Sequence, residues 1–364
     1  MQKLTINRED GHIAKSLPGQ DHISGLLFLV DSDSDIPEEF ATEPFQPCSD
    51  TKTASSLGLD TETPYGIQVL EAIRLNPGLS LYVGFALRTD DYAAVADMQH
   101  AAGGNIRQLG IIDTEQISKA NITALQAQAT SLDAQWMPLS IIVAPPMTDI
   151  HKLPTQLASS APNVSVLISR DIEASLPAIG TLIGILSARK VNESIAWVER
   201  CDTGLTRPIF SDNTPYDTVD AAVLETLDAE RYIYLRTYPG LAGVYFSDSH
   251  NMSDFQSDYN TIELQRTMDK AVRGVRTYLL PQLGRPIHLN DDGTLRADIL
   301  RHLETTAAKA VDDMEKAGEV SGWKVTIDPT QDVLATNNIT FTIHAQPVGV
   351  MRQATVNIGF VKNI

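Results

Sequence analysis

The 364 residues suffice for two domains or for one carrying a large insertion, and 43% apolar with 20% charged residues is an ordinary globular composition. The formal charge is −18, of which residues 1–244 hold −15 (16 Lys/Arg against 31 Asp/Glu) and residues 245–364 hold −3 (12 against 15). So acidic a chain repels phosphate backbones, which disfavours nucleic acid as a partner, and the near-neutral last third is the part better suited to contacts.

The opening "MQKLTINREDGH" has no apolar signal-peptide core, so Sec-type export is not expected; within it Leu4 and Ile6 form one short alternating piece. Strand-like apolar runs follow at 25–30, 79–86, 106–112, 139–144 and 164–169, with helical patterns between them. "YGIQVLEAIRLNPG" stops at Asn76-Pro77-Gly78, and "ISKANITALQAQATSLDAQW" places Ile122, Leu125, Ala129, Leu132 and Trp136 on one face. Continuous apolar strands separated by helices predict a mainly parallel sheet with helices on both faces. The longest apolar run, "LPAIGTLIGILSA" (176–188), is too short to span a membrane and predicts a buried helix. Its Gly180 and Gly184 would let another helix approach closely. Direct membrane insertion is not expected.

Residues 200–222 are rich in Asp, Thr and Pro and read as a surface connection, after which "RYIYLRTYPGLAGVYFSD" predicts two strands around Pro239-Gly240. The last third changes style and predicts a smaller α+β unit. A helix over 261–279 carries Leu264, Met268, Ala271, Val275 and Leu279 as its apolar stripe. Arg266, Lys270, Arg273 and Arg276 run along the other side, either as a docking stripe for an acidic partner or as a solvated face partly paired with Glu263 and Asp269. A second helix has the stripe Leu295, Ile299, Leu303, Ala307, Ala310, Met314 and Ala317, with Gly318 as its stop. Strands are predicted at 322–328 and 338–345. Finally Val356, Ile358 and Phe360 alternate with Thr355, Asn357 and Gly359, the period of a half-buried strand. No stretch after it supplies its partner.

Motifs for chemistry are lacking. "DSDSD" (31–35) would need Gly at the sixth and Glu at the twelfth position of a calcium loop, where Ile36 and Thr42 stand, so turn hydrogen bonds are expected instead. "SDSH" (247–250) sets Ser, Asp and His side by side, which is not how a triad is built, and reads as a polar loop. No GxSxG, HExxH, GxxxxGK[ST] or GxGxxG occurs. Cys48 and Cys201 are far apart without Cys or His company and read as free thiols. No catalytic, metal-ligating or cofactor-binding residue is assigned, no cofactor is expected, and the chain is not expected to be an enzyme.

The order of these elements resembles the contractile tail sheath proteins of phages and related injection machines. "GVYFSDSHNMSDFQSDYNTIELQRTMDKAVRGVRTYLLPQLG" (243–284) is similar to that family's strand, polar loop and helix with an early Arg. "LNDDGTLRADILRHLETTAAKAVDDMEKAGEVSGWKVTID" (289–328) is similar to its Asn-Asp opening, long helix, Gly and strand. "NNITFTIHAQPVGVMRQATVNIGF" (337–360) resembles its closing strand, Pro-containing turn and terminal strand, and "PGQDHISGLLFLV" (18–30) the opening of one subgroup. The likeness covers roughly half the chain.

The resemblance implies an N-terminal arm over 1–22, an outer solvent-facing α/β domain over 23–244, an inner α+β domain over 245–354 and a C-terminal strand arm over 355–364. It implies strands exchanged between subunits through Leu4, Ile6, Val356, Ile358 and Phe360. The subunit would polymerise helically, as stacked hexameric rings, around an inner tail tube protein, with baseplate and tail terminator proteins as further partners. Contraction would drive the tube through a target envelope. The tube contact would be Arg266, Lys270, Arg273 and Arg276, or the helix at 294–317. The location implied is a virion tail or injection particle, assembled in the bacterial cytoplasm. The alternatives are another multimeric tail or virion component, or an α/β enzyme with a ligand at the sheet's C-terminal edge.

Overall fold

The computed structural model describes residues 20–155, 157, 160–352 and 354–356. Strand β1 (Ile23–Val30) is buried along its whole length, as the apolar run requires. It pairs in parallel with β3 (Ser80–Leu87) on one side and β4 (Gln108–Ile112) on the other. Beyond β4 the parallel run continues through β5 (Ser140–Ala144) and β6 (Val164–Val166). On the far side, β2 (Phe45–Pro47) is an antiparallel edge on β3. The six-stranded order is therefore β2-β3-β1-β4-β5-β6: the chain goes from β1 to the far edge at β2, returns to β3 beside β1, and then winds outward on the other side through β4, β5 and β6.

Because side chains alternate across a strand, β1 serves two cores. Leu26, Phe28 and Val30 pack under α1 (Pro64–Leu75) and α4 (Ile179–Ala188), whereas Leu27 and Leu29 pack under α2 (Ala93–Ala101) and α3 (Lys119–Ala134). Helix α1 starts where Thr63 accepts a hydrogen bond from Gly66 N (3.0 Å) with Pro64 in the first turn. It ends at Leu75, before Asn76-Pro77. The expected close packing at Gly180 and Gly184 is present. A Cβ at Gly180 would lie 1.8 Å from Gln68 O, and one at Gly184 2.9 Å from Ala72 O, so the backbones of α4 and α1 touch.

Three expectations need correction. Trp136 does not share the buried face of Ile122, Leu125, Ala129 and Leu132, because α3 ends at Ala134 and Trp136 follows at φ +67° and 56% exposed. The run 164–169 is not one strand. After β6, Ile168 N donates to Ile233 O, and Ser169–Asp171 pairs antiparallel with Pro208–Phe210. Consequently 200–222 is not simply a surface connection. Cys201, Thr203, Ile209 and Phe210 are buried, and Asp171 Oδ1 accepts from Thr206 N (3.1 Å) and Arg207 N (2.8 Å). Three-residue strands are too short for a periodicity to reveal them.

The hairpin around Pro239-Gly240 forms as β7 (Leu235–Tyr238) and β8 (Leu241–Phe246), with Gly240 at φ +82°. Then come α5 (Ile262–Leu279), α6 (Ala297–Lys316), β9 (Val320–Ile327) and β10 (Phe341–Pro347). No helix among the described residues is long and apolar enough to cross a membrane.

Candidate assembly surface

Helices α5 and α6 cross where Gly274 meets Ala310; a Cβ on Gly274 would lie 2.9 Å from Ala310 Cβ. Both pack on a sheet of just two strands, β9 and β10, paired antiparallel with Trp323 opposite Ala345, Val325 opposite Ile343 and Ile327 opposite Phe341. The other face carries Lys324 opposite His344 and Thr326 opposite Thr342. Among the described residues no third strand joins either edge. A two-stranded ribbon is marginal alone, and each open edge presents unpaired backbone groups.

Helix α5 is buried on more than the side its sequence pattern predicts. Ala271 of the expected stripe is buried with Met268 against α6 and β9, and Leu264, Val275 and Leu279 are half-buried. The charged side is more enclosed still: Glu263 and Arg266 are each 3% exposed and Asp269 is 6% exposed, while Val272 is exposed. Three of the four residues of the basic stripe are thus enclosed or paired within the chain. Lys270 Nζ lies 2.6 Å from Asp21 and 2.6 Å from Glu319, and Arg273 Nη2 lies 3.0 Å from Asp21. Arg276 is exposed and stacks over Trp136 at 4.9 Å. Arg266 is enclosed, and both its terminal nitrogens lack a hydrogen-bond partner among the described residues. Burial pushes its guanidinium down to about 10 and pushes the Asp269 carboxyl up to about 7. The polar side of α5 is therefore an internal joint with Asp21, before β1, and Glu319, after α6.

What α5 leaves open is apolar. Met268, Val272, Val275, Leu279, Leu283 and Ile343 line a groove of about 520 Å³ beside β10. Helix α6 follows its pattern except at its end: Leu295, Leu303, Ala307, Ala310 and Met314 are buried and Ile299 is half-buried, but Ala317 is exposed.

Of the residues expected to exchange strands, Leu4, Ile6, Ile358 and Phe360 lie outside the described residues. Val356 is described, is 73% exposed and belongs to no strand. Sequence reasoning missed the two points where the ends of the described chain join the body. One is Asp21. The other is Arg352, whose Nε donates to Asp248 Oδ1 (3.0 Å) and whose Nη2 donates to Ser249 Oγ (3.1 Å) and to Glu263. "SDSH" is the polar loop expected, and a partly buried one: Ser249 and His250 are buried, as is Asn251 after them. A single Asp or Arg has no periodicity, so nothing local announced either role.

Two other places invite chemistry. Carboxylates of Asp228 and Asp248 approach His250, with ligand atoms within 4.8 Å of one another. Arg352 already compensates Asp248, and Arg236 and Arg231 bear on Asp228, so the cluster is not short of positive charge. At the C-terminal ends of β3 and β4, where a doubly wound sheet holds ligands, Arg88 fills the crevice. It pairs with Asp90 (2.8 Å), Glu115 (2.7 Å) and Asp113 (3.4 Å), and Tyr92 donates to Asp113 at 2.5 Å.

The family model described as DUF2586, N-terminal domain, matches residues 51–250, and that described as DUF2586, C-terminal domain, matches residues 258–364. A protein of Haemophilus phage HP1 (strain HP1c1), provisionally named a tail sheath protein, is 25% identical over 194 residues, 49% of this chain and 50% of that protein. The chain thus spans about half the length of this curated relative. Among solved structures, the helical sheath of the anti-feeding prophage in the contracted state matches with TM-score 0.69 and 13% identity over 99% of each chain. The 6-fold symmetrised baseplate of the same particle gives 0.66 and 14% over 100% of each. The contracted PVC sheath complex of an extracellular contractile injection system gives 0.64 and 10% over 100% of this chain and 98% of that one. At such identities the likeness is one of fold, and it agrees with the resemblance carried by the sequence motifs. By the extent of the two model matches, the chain belongs to the DUF2586 family.

Proposed function

We propose that the chain is a structural subunit of a contractile tail sheath, which polymerises around an inner tube and contracts to drive that tube through a target envelope. One observation carries this reading: α5 buries its charged side within the chain and leaves part of its apolar side open, at Val272, Val275 and Leu279, beside a two-stranded sheet whose edges no other strand joins among the described residues. Such a face is an aggregation hazard in a monomer and a joint in a polymer. Strands added from neighbouring subunits, through Leu4 and Ile6 at one end and Val356, Ile358 and Phe360 at the other, would complete the sheet by β-augmentation. A head-to-tail contact of this kind propagates as a helix, here as stacked hexameric rings, instead of closing as a dimer.

On this reading residues 23–244 form the acidic outer domain in solvent, residues 245–354 the inner domain, and 1–22 and 355–364 the connecting arms. New contacts between bodies supply the work of contraction while the arms hinge. Since Arg266, Lys270 and Arg273 are engaged within the chain, Arg276 and the exposed side of α6 are the surfaces left for the tube. Partners would be further copies of the chain, the tube protein, and baseplate and terminator proteins, in a virion tail or injection particle assembled in the bacterial cytoplasm. The role calls for no catalytic residue and no cofactor. Negative-stain microscopy of purified protein tests the proposal: striated hollow cylinders support it, and a globular monomer that stays monomeric at high concentration contradicts it.

A further inference from the structure

Beyond Pro347 the chain leaves β10 and runs through Val348, Gly349, Val350 and Met351 along a cleft shared with Trp197 and Tyr238. Val350 and Met351 are exposed. Among the described residues after Pro347, the hydrogen bonds to the body all come from one side chain, the guanidinium of Arg352. Its acceptors belong to two elements. Asp248 and Ser249 lie in the loop after β8, and Glu263 lies in the first turn of α5. Ser249 ties them together by donating to Glu263 Oε2 at 2.6 Å while accepting from Arg352.

We infer that Arg352 is a positioning residue for assembly: it mounts the root of the C-terminal segment on the same helix that holds Asp21 at the root of the N-terminal segment. Glu263 lies seven and ten residues before Lys270 and Arg273, the partners of Asp21. The two mounts are therefore about 10–15 Å apart along a continuous helix. A pull on one terminal segment reaches the other through α5 without passing through the outer sheet. The chemistry asks for arginine. A planar fork serves one carboxylate through Nε and a hydroxyl with a second carboxylate through Nη2, whereas the lysine ammonium is a point charge at the end of a flexible stem. Glu263 depends on the same contact, because a carboxylate 3% exposed is costly without a cation beside it.

This role rests on the assembly reading, and the test separates the two. Limited proteolysis by thermolysin, which cuts before Val350 and Met351, is followed on the full-length chain, kept unassembled by dilution, for wild type, Arg352→Ala, Arg352→Lys and Glu263→Gln. Cleavage within 348–351, which requires the segment to leave the body, should speed up about tenfold in all three variants, the factor expected when a charge-assisted hydrogen bond to the body is lost. Amide hydrogen exchange in peptides of β1 should be unchanged, which shows that the body is folded; if Arg352→Ala does not fold, the two milder variants carry the test. Unchanged cleavage at 348–351, or wild-type resistance in Arg352→Lys, overturns the clamp. The same variants are then concentrated beside wild type and pelleted. Loss of sedimenting polymer in the variants alone supports the positioning role, and equal polymer in all overturns it. Wild type that never sediments contradicts the assembly reading while leaving the cleavage result standing.

Discussion

Arg273 Nη2 donates to Asp21 Oδ1 at 3.0 Å, joining positions 252 residues apart in the chain. With Lys270 on the same carboxylate, the turn that precedes β1 is fastened to α5 of the C-terminal α+β unit.

Asp21→Ala should therefore loosen that joint. It leaves two partly buried cations short of a carboxylate, a loss of about 2 kcal/mol, with Glu319 still compensating Lys270. Thermal unfolding should show a lower midpoint, and Asp21→Asn should fall between the two. A midpoint equal to wild type for Asp21→Ala would mean that the pair contributes no stability.

Gly180 tests the contact of α4 with α1. Any Cβ there overlaps Gln68 O, so Gly180→Val forces the helices apart at a cost of roughly 3 kcal/mol and should lower solubility on expression. Gly78 is the control. A Cβ at that turn meets only the Asn76 side chain at 3.6 Å, so Gly78→Ala should change stability by less than about 0.5 kcal/mol. Similar midpoints for the two variants would refute the close contact.

Burial holds Asp269 near 7 among Arg273, Asp133, Gln265 and Arg266, against an ordinary value of 3.8. Between those values the folded chain keeps a proton that the unfolded chain has lost. The unfolded state binds fewer protons, so this group's contribution to stability falls as pH rises from about 4 to about 7 and is level above that. Asp269→Asn removes the titration. The variant should gain relative to wild type on going from acid to neutral pH in thermal melts, and a difference independent of pH would contradict the assignment.

The groove beside β10 separates folding from assembly. Leu283 is 74% exposed, so Leu283→Lys should alter monomer stability by less than about 0.5 kcal/mol. It should nonetheless remove polymer from the pellet in sedimentation, because a desolvated ammonium in an apolar joint is strongly disfavoured. Normal pelleting would take the groove out of the interface.

The five parallel strands of the six-stranded sheet were legible because burial on both faces writes each as an unbroken apolar run, and Asn76-Pro77 and Gly180 with Gly184 marked a stop and a contact that the structure bears out; the antiparallel edge Phe45–Pro47 went unread. The short strands at 169–171 and 208–210 were not, since three residues show no period and their pairing is set by Asp171. Helix α5 misled for a different reason. Its pattern marks Met268, Val275 and Leu279 as apolar, yet in the single chain its charged side is covered by Asp21 and Glu319, which lie far from it in sequence. An apolar stripe says that a face will be covered, not whether the cover lies in the same chain. Arg352 and Asp21 were invisible for want of any pattern, their roles being set by where the chain happens to leave the body.

The measurement that bears most directly on the account is electron microscopy of the wild type beside a variant ending at Ala354. If Val356, Ile358 and Phe360 join subunits, the shortened chain should keep its thermal unfolding midpoint and remain monomeric where the wild type forms cylinders. Cylinders of normal length and diameter from the shortened chain would contradict strand exchange.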